Sequence, residues 1–185
     1  MRLALTLGLD GIGSTGNSTN RNAFAFSIKN PRHPTIPVTV YLHSNDSADT
    51  LMFTKIGSVT YQASPGSELF TGTIDLNGVS LNTNYKVRVM VDGHLQRKLI
   101  ETPAFTSANQ TITASRVNMI AGDINGDNNL TIDDYTILIS CSTLSSNPGA
   151  CTEANRLLAD LNDNGAIDTA DTQLWRQELY TKEGE

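Results

Sequence analysis

No stretch of the 185 residues approaches the roughly 18 consecutive apolar side chains that a membrane-spanning helix needs. Lysine and arginine together number only 13 and nowhere cluster, so there is no cationic track for phosphates and nucleic-acid binding drops out as a function class. Aromatic residues make up 6% with a single tryptophan, which leaves any core lean and offers few rings for stacking on a sugar. His33, His43 and His94 are scattered, none with a second ligand at metal spacing, so no zinc site is expected. Neither Gly-x-Ser-x-Gly, His-Glu-x-x-His nor a Ser–His–Asp set can be recognised, and the first 118 residues hold seven carboxylates without a recognisable catalytic pair. The chain is therefore expected not to be an enzyme.

What is present is a division of charge. Residues 1–118 carry ten basic and seven acidic side chains, net +3, whereas residues 119–185 carry three basic (Arg156, Arg176, Lys182) and twelve acidic ones, net −9. Self-repulsion of that size destabilises a compact body unless a cation neutralises it. Two domains are expected, residues 1–118 and residues 119–185.

The first part has the period-2 pattern of strands. Leu3, Leu5, Leu7 and Leu9 alternate with Arg2, Ala4, Thr6 and Gly8. A signal peptide is the competing interpretation of Met1–Leu9. The apolar stretch is short for one and no small-residue cleavage site follows cleanly, so a strand is expected and an export signal would have to lie outside this sequence. Further candidate strands are Ala23–Lys29, Pro37–His43, Leu51–Ile56, Ser58–Gln62, Glu68–Asp75, Tyr85–Asp92, His94–Glu101 and Gln110–Val117. Asn30-Pro31, Ser64-Pro65-Gly66, Asn77-Gly78 and Asp92-Gly93 punctuate them, the last as a two-residue hairpin turn. Short strands at this spacing, with no helical pattern between them, predict an antiparallel, Ig-like β-sandwich. Phe24, Phe26, Tyr41, Phe53, Tyr61, Phe70 and Tyr85 mostly fall at alternating positions where core packing is the default. Glycan binding by this half is the minor alternative.

Gly11-Ile12-Gly13-Ser14-Thr15-Gly16 matches the dinucleotide fingerprint and follows a strand. That chemistry also needs a helix N-terminus against the pyrophosphate and an acidic ribose contact farther on. The polar stretch Asn17–Asn22 offers no such helix, so an interstrand loop is expected.

The second part contains a duplicated twelve-residue pattern with a 37-residue offset. Ca²⁺ takes six to eight oxygen ligands, which such a loop supplies from positions 1, 3, 5, 7, 9 and 12. The first copy offers Asp123, Asn125, Asp127, the Asn129 carbonyl, Thr131 through a water, and Asp134; the second offers Asp160, Asn162, Asn164, the Ala166 carbonyl, Asp168 and Asp171. Position 8 is apolar in both (Leu130, Ile167), as expected where two such loops pair. Position 6 must turn sharply; Gly165 does so freely and Asn128 tolerates it. The shared ligand order, each copy leading into an apolar helix, separates this pattern from two solvated acidic turns. Two Ca²⁺ are expected.

Helices are predicted over Ile132–Ser140 and Thr169–Tyr180, packed as a pseudo-symmetric pair in which Ile137 matches Leu174 and Leu138 matches Trp175. Neither loop has a full entering helix: Asn118–Gly122 cannot form one and Thr152–Ala159 gives at most two turns. Loop plus exiting helix, duplicated over about residues 119–181, resembles the type I dockerin module. The resemblance implies calcium-dependent binding to cohesin domains, the means by which dockerins attach enzymes or structural proteins to cellulosomes or cell surfaces. It further implies partner contacts at loop positions 10 and 11, here Ile132, Asp133, Thr169 and Ala170, and on the helices at Ile139, Ser140, Arg176 and Gln177. Neither copy has the Ser/Thr pair frequent at positions 10 and 11, and the copies differ there, so symmetric dual-mode binding is not expected.

Cys141 and Cys151 flank an Asn147-Pro148-Gly149 turn. An even pair of this kind points to a disulfide and an oxidising, extracellular setting, with two free buried thiols as the alternative. The expectation is thus a non-enzymatic, secreted or cell-surface protein of bacterial or archaeal type, attached through a cohesin-like partner. A self-assembling subunit with the calcium module as an internal staple is the second possibility.

Overall fold

A computed structural model describes residues 1–13, 30–64, 67–142, 151–179 and 184. The chain is mostly β, with a small helical module at its C-terminal end. The predicted strand Ala23–Lys29, Phe24 and Phe26 within it, and the Asn147–Gly149 turn lie outside the described residues.

β1 (Arg2–Leu9) forms as its leucine alternation demands, with Leu3, Leu5, Leu7 and Leu9 all buried. It pairs antiparallel with β4 (Ser67–Asp75), setting Leu3 opposite Ile74 and Leu7 opposite Phe70. On its other side it runs parallel to β8 (Thr111–Thr113) and β9 (Val117–Met119). These parallel pairs depart from the wholly antiparallel expectation. Residues 110–119 come back to β1 from a distant point in the chain, and such a return leaves no local turn signal.

β2 (Thr35–Ser44) pairs with β3 (Leu51–Ser64) and with β5 (Tyr85–Met90). β3 joins the two strands predicted over Leu51–Ile56 and Ser58–Gln62. Its first part pairs β2, its end pairs β4, and Thr60 stands opposite both Thr35 and Thr71. One long strand thus joins β2 to β4 within the sheet. Among the described residues the result is an eight-stranded sheet, curled almost into a barrel around one core to which β1, β2, β4 and β5 all contribute. Phe70, Tyr85 and Phe105 are buried in that core, and Phe53 and Tyr61 pack against it, as expected for core rather than sugar-stacking aromatics.

The turn at Asp92-Gly93 forms, with the His94 N–H donating to the Val91 carbonyl at 3.0 Å and Gly93 at φ 74°. The hairpin is wider than two residues. Gly93–His94, as β6, leaves to pair with β10 (Ala121–Asp123), and only β7 (Arg97–Lys98) returns to β5. That detour ties the sheet to the segment opening the first acidic loop.

Among the described residues the module has three helices, α1 (Ile132–Cys141), α2 (Glu153–Ala159) and α3 (Thr169–Glu178). α2 is the short helix anticipated before the second loop, capped by Thr152, whose Oγ1 accepts the Asn155 N–H. Leu138, Leu174 and Trp175 are buried together, and the Tyr135 and Trp175 rings lie 4.9 Å apart, joining α1 to α3 as the offset of 37 implied. Cys141 and Cys151 form the disulfide, tying the end of α1 to the approach of α2.

Candidate metal centre

Each acidic loop is wound by its own side chains, and the two windings match position by position. The backbone N–H six residues into the loop donates to the position-1 carboxylate: Asn128 to Asp123 Oδ2 at 3.0 Å, Gly165 to Asp160 Oδ2 at 2.7 Å. The position-5 N–H reaches the position-3 amide oxygen: Asp127 to Asn125 Oδ1 at 2.9 Å, Asn164 to Asn162 Oδ1 at 3.1 Å. The position-7 N–H reaches the position-5 side chain: Asn129 to Asp127 Oδ1 and Ala166 to Asn164 Oδ1. Asx turns repeated at alternate residues bend the chain around its own oxygens, which is why Asp and Asn occupy these positions.

Positions 9 and 12 have a second duty, since they form the capping box of the exiting helix. Thr131 caps α1 with Asp134 as its N3 partner, and Asp168 caps α3 with Asp171. Asp134 Oδ1 accepts the Ile124 and Asn125 N–H groups while Oδ2 accepts Thr131 N–H, so one carboxylate closes both ends of the loop. Asp171 likewise takes Asn162 N–H on Oδ1 and Asp168 N–H on Oδ2. The capping box satisfies helix N–H groups and also fixes where the twelfth residue's oxygens stand.

These carboxylates are costly to bury. Asp123, Asp134 and Asp171 are 4%, 0% and 0% exposed. Burial, with Asp134 and Asp127 close by, raises the Asp123 carboxyl above its usual range; burial also raises Asp160 and pushes Asp171 up to about 6. Asp123 Oδ1 is buried with no hydrogen-bond partner. A buried acceptor left unmade costs about 1–3 kcal/mol, more for a charged group. The donors gathered here are all hard oxygens, without sulfur or imidazole, which suits Ca²⁺ or Mg²⁺ rather than zinc. Among the described residues no group of three or more His, Cys, Asp or Glu side chains forms a metal cluster. The loops instead mix aspartates with asparagines, a threonine and main-chain oxygens, a donor set that fits calcium.

The remaining site residues are distributed as follows. Asn129 is half-buried and Ala166 exposed, their expected donors being carbonyls. Leu130 packs with Leu95 and Ile120, whereas Ile167 joins the module's core, so the two position-8 side chains enter different clusters. Ile132 is 68% exposed, and Asp133, Thr169 and Arg176 are also exposed. Ile139, Ser140, Ala170 and Gln177 are half-buried, with Ser140 Oγ donating to the Ile137 carbonyl at 2.7 Å.

Sequence reasoning missed the residues by which the β-rich half grips these loops. His33 meets Asp163, Gln96 meets Asn128, and Gly11 lies under α3. A Cβ on Gly11 (φ 79°) would stand 2.7 Å from Leu174 Cδ1, so the glycines of the apparent dinucleotide fingerprint include one that serves close packing. The available signal was the non-glycine residue at a sharply turned loop position, Asn128 above all.

No curated protein matches the sequence at a significant level. In fold, the chain is similar to chains in two crystal structures of a type II cohesin–X-dockerin complex from Acetivibrio cellulolyticus. For an N-terminal interface mutant the TM-score is 0.50 at 18% identity, covering 96% of this chain and 94% of that chain. For a C-terminal interface mutant it is 0.52 at 19% identity, with the same coverages. Residues 121–179 match the family of the dockerin type I domain, whose members are non-catalytic interaction modules that bind calcium. Those residues span both wound loops and the helices α1, α2 and α3, and the C-terminal part of the chain, which follows the β-rich part, resembles a type I dockerin module.

Proposed function

We propose that residues 119–185 are a calcium-folded attachment domain and residues 1–118 the Ig-like sandwich domain it follows. The observation that carries this is the buried, partnerless Asp123 Oδ1 within a loop of oxygen donors, where a cation would replace the missing hydrogen bond and offset the repulsion among the carboxylates. The first Ca²⁺ would be held by Asp123, Asn125, Asp127, the Asn129 carbonyl, Thr131 and Asp134. The second would be held by Asp160, Asn162, Asn164, the Ala166 carbonyl, Asp168 and Asp171. With both loops filled, the charge of this half falls from −9 to about −5.

The partner is a cohesin-type domain, which accords with the matched family and with what the similar structures contain. Ile132 supplies an exposed apolar anchor at the start of α1, beside Asp133 and with Thr169, Ala170, Ile139, Ser140, Arg176 and Gln177 as further contacts. The disulfide supports an extracellular or cell-surface setting.

The test is calorimetric titration of the chelator-stripped chain with CaCl₂, followed by surface-plasmon measurements against type I and type II cohesin domains with Ca²⁺ or with EDTA. Uptake of two ions and cohesin binding that vanishes in EDTA are expected. Absence of uptake would sink the calcium assignment. Uptake without cohesin binding, joined by calcium-dependent growth in light scattering, would instead establish the self-assembling subunit; retention on a glycan array would establish the accessory glycan role.

A further inference from the structure

Among the described residues, four other than glycine hold a positive φ, and two of them lie in the paired loops: Asn128 (φ 65°) at position 6 of the first and Asp163 (φ 55°) at position 4 of the second. Gly126 (φ 75°) and Gly165 (φ 92°) occupy the counterpart positions. Each loop therefore makes its sharp turn with one glycine and one residue that carries a backbone cost there, in swapped order. Neither Asn128 nor Asp163 stands at a ligand position.

Both side chains are engaged by the β-rich half. Asn128 Oδ1 accepts the Gln96 N–H at 2.7 Å, next to the cluster of Leu95, Ile120 and Leu130. Asp163 Oδ2 accepts the His33 N–H at 2.7 Å, Asp163 Oδ1 faces His33 Nδ1 at 2.6 Å, and the Asp163 carbonyl accepts the Arg32 N–H at 3.1 Å. These contacts adjoin the first ligand of each loop. Asn128 N–H itself orients Asp123 Oδ2, and Asp163 N–H donates to the Asp160 carbonyl at 3.1 Å. A bare turn would be better served by glycine at both positions, so the two side chains are explained by the contacts they make across the molecule.

We infer that Asn128 and Asp163 are positioning residues: brackets through which the β-rich domain holds each loop in its ligand-collecting shape. Seating of the module on the sheet and calcium occupancy are then one linked equilibrium, each favouring the other. The inference rests on the calcium reading of the loops proposed above, and it assigns the sheet a part in metal affinity that no ligand roster contains.

Glycine substitution separates the two roles these residues could have. Asn128→Gly and Asp163→Gly, made in the full chain, keep the left-handed backbone at lower cost and delete the bracket; Asp163→Gly also removes a carboxylate close to Asp160, and His33→Ala, which leaves that charge in place, is its control. Calcium calorimetry should show affinity at the altered loop weakened about three- to tenfold, the size of one net hydrogen bond. His33→Ala should weaken the second site less, since the His33 N–H still reaches Asp163 Oδ2, and in the Asp163→Gly background it should add little, because the imidazole contact to Asp163 Oδ1 is already gone. Far-UV circular dichroism in Ca²⁺ checks that each variant is folded. Isotherms unchanged or tightened by the glycines, or additive effects of His33→Ala and Asp163→Gly, would overturn the inference. A wild-type chain that takes up no calcium would overturn the underlying assignment instead.

Discussion

The sheet and the module bury apolar and polar side chains in different proportions. Among the described residues, the core inside the sheet gathers twenty-two buried apolar side chains from Leu3 to Met119, all hydrocarbon or nearly so. The module's core gathers nine, and beside them lie Asp123, Asp134, Asn162 and Asp171, each less than 5% exposed. Burial of apolar area scales with the size of the body, so a unit this small needs help beyond its core. It has three devices: helix caps made from its own loop residues, one disulfide, and the oxygen-lined loops. One chain thus folds its first half by withdrawing hydrocarbon from water, and its second around a smaller apolar core that also encloses carboxylate and amide oxygens.

The largest effect expected under this contrast is in the sheet. Phe70 is 1% exposed, with the Tyr61 ring centroid 5.2 Å away. Phe70→Ala should cost about 3–5 kcal/mol in urea unfolding. Its cost should be the same in Ca²⁺ and in EDTA as long as the sheet is monitored by amide protection of β1 and β4. A cost that depended on calcium would show that the two halves do not divide their stabilisation as described.

Chelation comes next and should strike the other half. A cation at 100 times its dissociation constant contributes about 2.7 kcal/mol per site to the folded state. EDTA should therefore melt residues 119–181 first. Trp175, the single tryptophan, is buried against Tyr135 inside the module, so its fluorescence reports this region alone. A melting temperature and a Trp175 emission untouched by EDTA would break the comparison at its centre. Removal of the cross-link is expected to be comparable or slightly smaller. Closing a loop with ten residues of separation is worth about 2–3 kcal/mol by chain-entropy arithmetic. Cys141→Ser with Cys151→Ser should lower the Trp175 transition by that amount and leave β-strand amide protection unchanged.

How much of this was legible in advance differs between the halves for a physical reason. The leucine alternation of β1 and the helices that leave the two acidic loops are local patterns, and both appear in the structure, α1 ending at Cys141 and α3 at Glu178. The continuity of β3 through Gly57 was missed, since a glycine within a strand breaks it only when nothing packs there, and Ile74 lies directly over this one. The parallel pairing of β8 and β9 with β1 was missed because residues about 110 positions apart leave no joint signature in sequence. The same holds for His33 with Asp163, a pair 130 residues apart. The duplicated loops were legible as a motif, while the surface that grips them was not.

The smallest expected effect lies at one end of the sheet and tests whether charge matters there at all. Asp49, in the connection from β2 to β3, holds φ 49°. Both of its carboxylate oxygens are taken by the Arg88 guanidinium, with Lys86 Nζ and His43 Nδ1 at 3.6 and 3.7 Å. The Arg88 hydrogen bonds, aided by these neighbouring charges, hold the Asp49 carboxyl at about 2. Because the folded value lies below the unfolded value of about 3.9, the contribution is complete above that pH and is lost as the pH falls through about 2. Asp49 is partly exposed, so solvent screens the pair and the contribution is small. Asp49→Asn should therefore differ fully from the parent protein in acid unfolding above about pH 4, the two curves converging below that and meeting near pH 2. Curves that stay parallel throughout would show that the residue acts through its left-handed backbone alone, leaving the sheet half indifferent to charge where the module depends on it.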